Sequence, residues 1–269
     1  MPQNIRQTGP TVVFGTPRVW EKFYSKILTG IDDATWIQQK IYHWAIHIGK
    51  TICEIKEAGE KPSLWLQMKA ALAKFFIMNK IKDIFGGRIR YMLTGAAPIS
   101  KEILHFFYWV GLQVFEGYGM TETSGIISIQ TEGEVKIGSV GRATPGTEIK
   151  ILDDGEICVR GEQNINSYYK NEQATEELLK PDSKGGYWLH TGDVGYVDED
   201  GYLFITDRKK DIIITAGGKN VAPQNIENLM KTSPYISQAM VYGDRKLSLI
   251  HISEPTRPRL ISYAVFCLK

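Results

Sequence analysis

Apolar residues in the first third of the chain recur at mixed three- and four-residue steps. Trp20, Phe23 and Ile27 do so within 19–31, and Trp36, Ile41, Trp44 and Ile48 within 34–48. That is the period of a helix with one face turned to a core. Residues 65–78 repeat it, so the aromatic residues of these helices are expected in the core rather than around a ligand. The texture changes near Phe85. Gly86-Gly87 breaks the helix, 89–93 is a short apolar run, and Thr94 to Pro98 is a small-residue loop. Pro98 suits the first position of a helix over 99–110. A second unit follows, with 112–115 as strand and 116–123 as loop. Strand, tight loop and helix in this order predict a parallel α/β sheet, whose ligand loops lie after the strand ends.

From residue 136 to 205 the period shortens to that of strands. Runs at 148–152, 156–160 and 202–205 alternate with turns at Gly141, Pro145-Gly146, 153–155 and 198–201. This predicts a small antiparallel, barrel-like β-module. A charged run (Asp207 to Asp211), a β-branched run (212–215), a loop (216–223), a helix (224–231) and a strand (236–242) then open a further α/β unit. The fold class is therefore α/β: a parallel sheet and a β-module, followed by the start of a smaller α+β domain.

Composition narrows the function without naming it. The hydrophobic fraction of 43% and charged fraction of 23% are those of an ordinary globular protein. A formal charge of +2 is too small to argue for a nucleic acid partner. Cys53, Cys158 and Cys267 are scattered, with no ligand spacing and no disulfide framework. The opening residues lack the apolar core of a signal peptide.

Four loops carry candidate chemistry. In Tyr118-Gly119-Met120-Thr121-Glu122-Thr123 the glycine permits close approach of a ligand to the backbone. Thr121 can donate to a phosphate oxygen, Glu122 can hold Mg²⁺ on that phosphate, and Tyr118 offers a flat face to a base. A capped helix start would use the same residue types. Asp193, at the end of Tyr187–Asp193, is suited to accept both hydroxyls of a ribose, although a turn Asp reads equally well. Arg208 in the next charged run could add charge-assisted hydrogen bonds, and the run also fits a solvated linker. Gly217-Gly218-Lys219 precedes a helix and could line a phosphate or a narrow ligand arm, but it lacks Walker A spacing.

Six elements stand in one order: Gly95-Ala96-Ala97-Pro98, 118–123, 155–161 (GEICVRG), 187–193, 207–211 and 217–223. In that order they resemble the adenylate-forming, AMP-binding enzymes, from Thr11 to about Lys246. Within them the chain is similar to long-chain fatty acyl-CoA synthetases. The segments 14–22, 188–193 and 213–223 are closest to the bubblegum group. The resemblance implies a large AMP-binding domain over 1–207 (α/β part about 1–135, β-module about 136–207) and the start of a small C-terminal domain over 208–246. It implies that Gly95, Ala96, Ala97, Pro98 and Tyr118 enclose adenine, with Gly119 in the same loop. Thr121 and Glu122 would be the catalytic pair, on the α-phosphate and on Mg²⁺. Asp193 and Arg208 would hold the ribose. Lys210 would be the hinge of the small domain, and Gly217, Gly218 and Lys219 would line the coenzyme A tunnel. The implied reaction couples a fatty acid to coenzyme A through an acyl-adenylate made from ATP. Delivery of the acyl group to a carrier protein is the alternative within the family. The implied location is cytoplasmic, with peripheral attachment to the endoplasmic reticulum or another membrane left open.

Two family elements have no counterpart here: the upstream Ser/Thr/Gly-rich phosphate loop ending in Lys, and the downstream adenylation Lys. The expectation is a chain truncated at both ends, nearly inactive by itself, so a nucleotide-binding fragment without catalysis is the other class of reading. From Leu247 the text departs from the family. Residues 247–257 and 261–268, separated by Pro258-Arg259-Leu260, resemble the in-frame translation of a sequencing-library adapter. Residues 247–269 are thus expected to be non-native and without function. Removing their three basic residues (Arg257, Arg259, Lys269) and Glu254 from 32 and 30 leaves 29 of each sign, so the +2 belongs to the tail.

Overall fold

A computed structural model describes residues 2–183, 185–214, 220–231, 233, 236–243, 249–255 and 264–268. They fall into two compact units, Met1–Phe115 and Glu116–Lys269. The first contains α1 (Pro2–Thr8), β1 (Val12–Gly15), α2 (Pro17–Asp32), α3 (Trp36–Glu57), α4 (Leu64–Ala73), a π-type turn (Lys74–Met78), α5 (Asn79–Ile84), β2 (Tyr91–Thr94), α6 (Lys101–Trp109) and the first residues of β3 (Val114–Met120). β1 and β2 pair in parallel, Val12 opposite Tyr91 and Gly15 opposite Thr94. Parallel neighbours need a crossover, and α2 to α5 supply it.

Proline at the start of α2 fixes a helical φ where no amide partner is needed. Trp20, Phe23 and Ile27 then fall on one buried face. The Trp20 indole N–H donates to the Gly15 carbonyl at 3.2 Å. Its ring meets Phe107 edge-on, and Phe23 lies 4.5 Å from Phe85, centroid to centroid. The next two helices depart from the pattern. In α3 the buried residues include Tyr42, Ala45, Ile48 and Cys53, while Trp36 is 65% exposed and Ile41 and Trp44 also reach solvent. Trp65 of α4 is 65% exposed as well. Periodicity marks a face but does not say that anything covers it. α6 starts at Lys101 rather than at Pro98, because the Ser100 hydroxyl caps it by accepting from the Glu102 amide.

The second unit contains the rest of β3, a 3-10 turn (Thr121–Thr123), β4 (Gly125–Ile129), β5 (Arg142–Ala143), β6 (Glu148–Ile151), β7 (Glu156–Arg160), α7 (Glu172–Leu178), β8 (Leu179–Pro181), β9 (Tyr187–Val197), β10 (Leu203–Arg208), β11 (Ile213–Ile214), β12 (Asn220–Val221), α8 (Pro223–Met230), β13 (Ile236–Tyr242), β14 (Leu249–Pro255) and β15 (Ala264–Leu268). β3, β4 and β5 pair antiparallel in that order. A second antiparallel sheet runs β10-β9-β7-β6, with β8 also on β9. The Val140 amide donates to Leu203 and the Leu203 amide to Gly141, at 2.8 and 2.9 Å, which stitches the approach to β5 onto β10. The sheet called parallel from sequence is thus parallel at β1 and β2 and antiparallel at β3 to β5. Tyr118, Ile127, Ile157, Val159 and Leu203 form the core of this unit.

Three further boundaries move. Residues 116–120 are strand, not loop. The first strand of that region begins at Val114 rather than 112. Asp193 sits inside β9 rather than at its end. β14 and β15 lie in the segment 247–269 and continue β13 antiparallel, Val241 opposite His251 and His251 opposite Phe266. An unpaired strand edge is a template for backbone pairing with another extended segment.

Candidate nucleotide site

The site in the second unit begins with the turn that reverses β3 into β4. Gly119 lies where the register of this pair shifts. A Cβ there would run into the Gly125 carbonyl, so the close approach needs glycine. The Thr123 hydroxyl accepts from the Met120 amide at 3.1 Å and faces the carbonyls of Met120 and Gly125. Ser124 takes a left-handed φ of 52° to complete the reversal. The turn therefore holds Thr121 exposed at its tip, with Glu122 beside it, half-buried. The Tyr168 hydroxyl donates to Glu122 Oε1 at 2.6 Å. That bond, more than burial, pushes the Tyr168 hydroxyl up to about 12.

Asp193 is fixed from below. The Thr191 hydroxyl donates to the Ile157 carbonyl at 2.8 Å and accepts from the Asp193 amide at 3.1 Å. The Tyr118 hydroxyl donates to Asp193 Oδ2 at 2.7 Å, and Arg208 Nε lies 3.4 Å from Oδ1. Arg208 is the cross-strand partner of Asp193 in the β10–β9 pair. Burial first, and the Asp193 charge second, raise the Tyr118 hydroxyl well above the ordinary tyrosine range, so it stays a donor. Tyr118, Asp193 and Arg208 are thus brought together from three strands. The Tyr118 ring packs into the core of the unit beneath them.

The remaining sequence candidates are placed as follows. Gly95, Ala96, Ala97 and Pro98 form the loop between β2 and α6 in the first unit, with Ala96 at a left-handed φ of 67°. A non-glycine residue there is strained by roughly 1–3 kcal/mol. Lys210 is exposed in the turn after β10, which the Asp211 amide closes onto the Arg208 carbonyl at 2.9 Å. Gly217, Gly218 and Lys219 lie outside the described residues.

Motif reading missed a second layer. Glu156 receives the Gly192 amide at 3.1 Å on Oε1, and His190 Nδ1 and Lys209 Nζ lie 3.3 and 3.0 Å from Oε2. Lys209 also reaches Asp154 at 2.6 Å. This clamp holds the strand segments that carry Asp193 and Arg208. Only fold proximity joins Glu156 to Lys209, 53 residues later. Burial raises the Glu156 carboxyl, but the bonds from Lys209, His190 and the Gly192 amide outweigh it and hold it below its usual 4.5. A depressed folded-state value stabilises the fold above the unfolded value, and the benefit is lost as pH falls through the folded one. Thermal unfolding from pH 7 to pH 3 should therefore show Tm dropping below about pH 4.5. Glu156→Gln should lower Tm at pH 7 by the equivalent of about 1–3 kcal/mol and flatten the acid-side drop. An acid drop of the same size in the variant would refute this attribution.

Among the described residues no helix is long and apolar enough to cross a membrane, and no three His, Cys, Asp or Glu residues are grouped as metal ligands.

The model of the "AMP-binding enzyme" family matches residues 1–169. The chain is 42% identical over 239 residues to long-chain-fatty-acid–CoA ligase FadD15 of Mycobacterium bovis, covering 88% of this chain and 38% of that protein. It is 35% identical over 250 residues to long-chain-fatty-acid–CoA ligase ACSBG1 of Bos taurus, covering 90% of this chain and 33% of that protein. Among solved structures it is similar to O-succinylbenzoate coenzyme A synthetase of Bacillus subtilis, solved with ATP and magnesium ion. That match has 33% identity and a TM-score of 0.55, and covers 64% of this chain and 38% of that one. The chain spans between one third and two fifths of the length of the curated relatives it matches. The family model matches more than half of the chain, and the match contains the Gly95–Pro98 loop, the turn of β3 and the 155–161 segment, so this chain belongs to the AMP-binding enzyme family.

Proposed function

We propose that this chain carries the nucleotide-binding part of a long-chain fatty acid–CoA ligase. The observation that carries the reading is the convergence of the Tyr118 hydroxyl and the Arg208 guanidinium on the Asp193 carboxylate, with Thr121 and Glu122 in the turn that follows the strand of Tyr118. A carboxylate held by two donors in a strand is preorganised to accept ribose hydroxyls. Thr121 would donate to the α-phosphate. The names of FadD15 and ACSBG1 support long-chain fatty acids as the substrate class.

The reaction so proposed activates the fatty acid with ATP to an acyl-adenylate, releasing pyrophosphate. The thiol of coenzyme A then takes the acyl group and AMP leaves. The work of the protein is positioning and neutralising charge around the phosphates. Glu122 fits a Mg²⁺ role, because a lone carboxylate suits a cation carried largely by phosphate and water. Mg²⁺, when bound, would offset phosphate charge. Lys210 as hinge, Gly217 to Lys219 along the coenzyme A arm, the Gly95–Pro98 loop at adenine and a cytoplasmic location belong to the same proposal.

The test uses a protein of the relatives' length that carries this sequence. Fatty-acid-dependent ATP–pyrophosphate exchange, with formation of a free acyl-CoA thioester, is the expected result. Exchange without a free thioester would replace this reading with delivery to a carrier protein. No exchange with any fatty acid would overturn both.

A further inference from the structure

Tyr168 stands outside every motif the sequence marks, yet its hydroxyl is bonded to the carboxylate proposed for the metal. Its segment, between β7 and α7, grips Glu122 twice. The Ile165 amide donates to the Glu122 carbonyl at 2.8 Å, while Tyr168 takes the side chain. The segment is itself anchored on both sides. Asn164 Nδ2 donates to the Val159 carbonyl at 3.0 Å, and Gln163 Nε2 to the Thr147 hydroxyl at 2.8 Å. The Tyr168 amide donates to the Thr175 hydroxyl of α7 at 2.9 Å. Tyr168 is therefore presented to Glu122 by a braced frame, 46 residues away in sequence.

The bond falls on one oxygen only. Oε1 accepts from the tyrosine, which restricts the carboxylate rotamer and leaves Oε2 outside that bond. An outer donor that leaves one oxygen for the cation is the arrangement by which neighbouring groups orient a ligating carboxylate, and its loss typically costs about 10–100-fold in metal affinity. Tyr169, the adjacent residue, is 87% exposed, so the two tyrosines differ in environment but not in chemistry.

We propose that Tyr168 is a positioning residue that orients Glu122 for Mg²⁺ on the bound nucleotide. The inference rests on the Mg²⁺ role given to Glu122 above. Tyr168 touches neither nucleotide nor cation in this account and acts through Glu122.

The experiment is ATP binding to the 269-residue chain by calorimetry, first in EDTA and then across a MgCl₂ titration, for the unaltered chain, Tyr168→Phe, Tyr169→Phe and Glu122→Gln. Circular dichroism of each variant reports its fold. The proposal expects Tyr168→Phe to bind ATP in EDTA as the unaltered chain does. It should need about tenfold more Mg²⁺ for the same gain in affinity, with Tyr169→Phe unchanged and Glu122→Gln losing the gain. A merely structural tyrosine would weaken binding equally in EDTA and in Mg²⁺, and that result would overturn the proposal. An unchanged Mg²⁺ requirement in Tyr168→Phe, with the gain lost in Glu122→Gln, would overturn it and leave the function standing. A full gain in Glu122→Gln would remove Glu122 from the metal and Tyr168 with it. Absence of ATP binding in the unaltered chain would overturn the site itself.

Discussion

Asp193→Ala should weaken AMP binding by at least a hundredfold. The carboxylate is the one group in this cluster that can accept two ribose hydroxyls. Hydrogen bonds to a charged acceptor contribute about 1.5–3 kcal/mol each, and two of them set the scale. The substitution also leaves the Tyr118 hydroxyl, held at 2.7 Å by that carboxylate, without its acceptor, and removes the carboxylate ion-paired with Arg208. Asp193→Asn keeps the shape but removes the charge, and should lie between. Equilibrium binding of AMP to the three proteins measures this. An Asp193→Ala chain that binds AMP as tightly as the unaltered one would remove Asp193 from the site.

Trp20→Ala should cost about 3–5 kcal/mol and unfold much of the first unit. Trp20 is fully buried, packed on Phe23 and Phe107, and its N–H satisfies the Gly15 carbonyl. Removal opens a large cavity at the contact of α2 with β1 and leaves that carbonyl unpaired. Since whole-protein stabilities are only about 5–15 kcal/mol, this is a large share. Trp36→Ala, at an exposed position of α3, should change stability by less than about 0.5 kcal/mol. Near-UV circular dichroism with urea unfolding compares the two. Equal losses would contradict the burial argument.

The contrast between these tryptophans also shows what the sequence reveals. Both sit on helical stripes, and the stripe correctly gives α2 and α3. Which stripe is covered depends on elements far away in the chain, here Phe107 against Trp20 and Phe85 against Phe23, and no local spacing records them. The same limit explains Tyr118. A glycine-flanked tyrosine reads as loop, whereas pairing with β4 makes it strand. Asp193 was legible from its neighbours Gly192 and Thr191, and Arg208 from its charged run, but their cross-strand pairing came from the fold. Glu156 lay in view within GEICVRG without a role, because Lys209 is needed to give it one. Tyr168 had no signal, since its chemistry exists only beside Glu122.

A crystal structure of this chain grown with AMP tests the central claim most directly. The account predicts the ribose hydroxyls within hydrogen-bond distance of the Asp193 carboxylate and the phosphate at Thr121. AMP bound away from Asp193, or no AMP at saturating concentration, would contradict it.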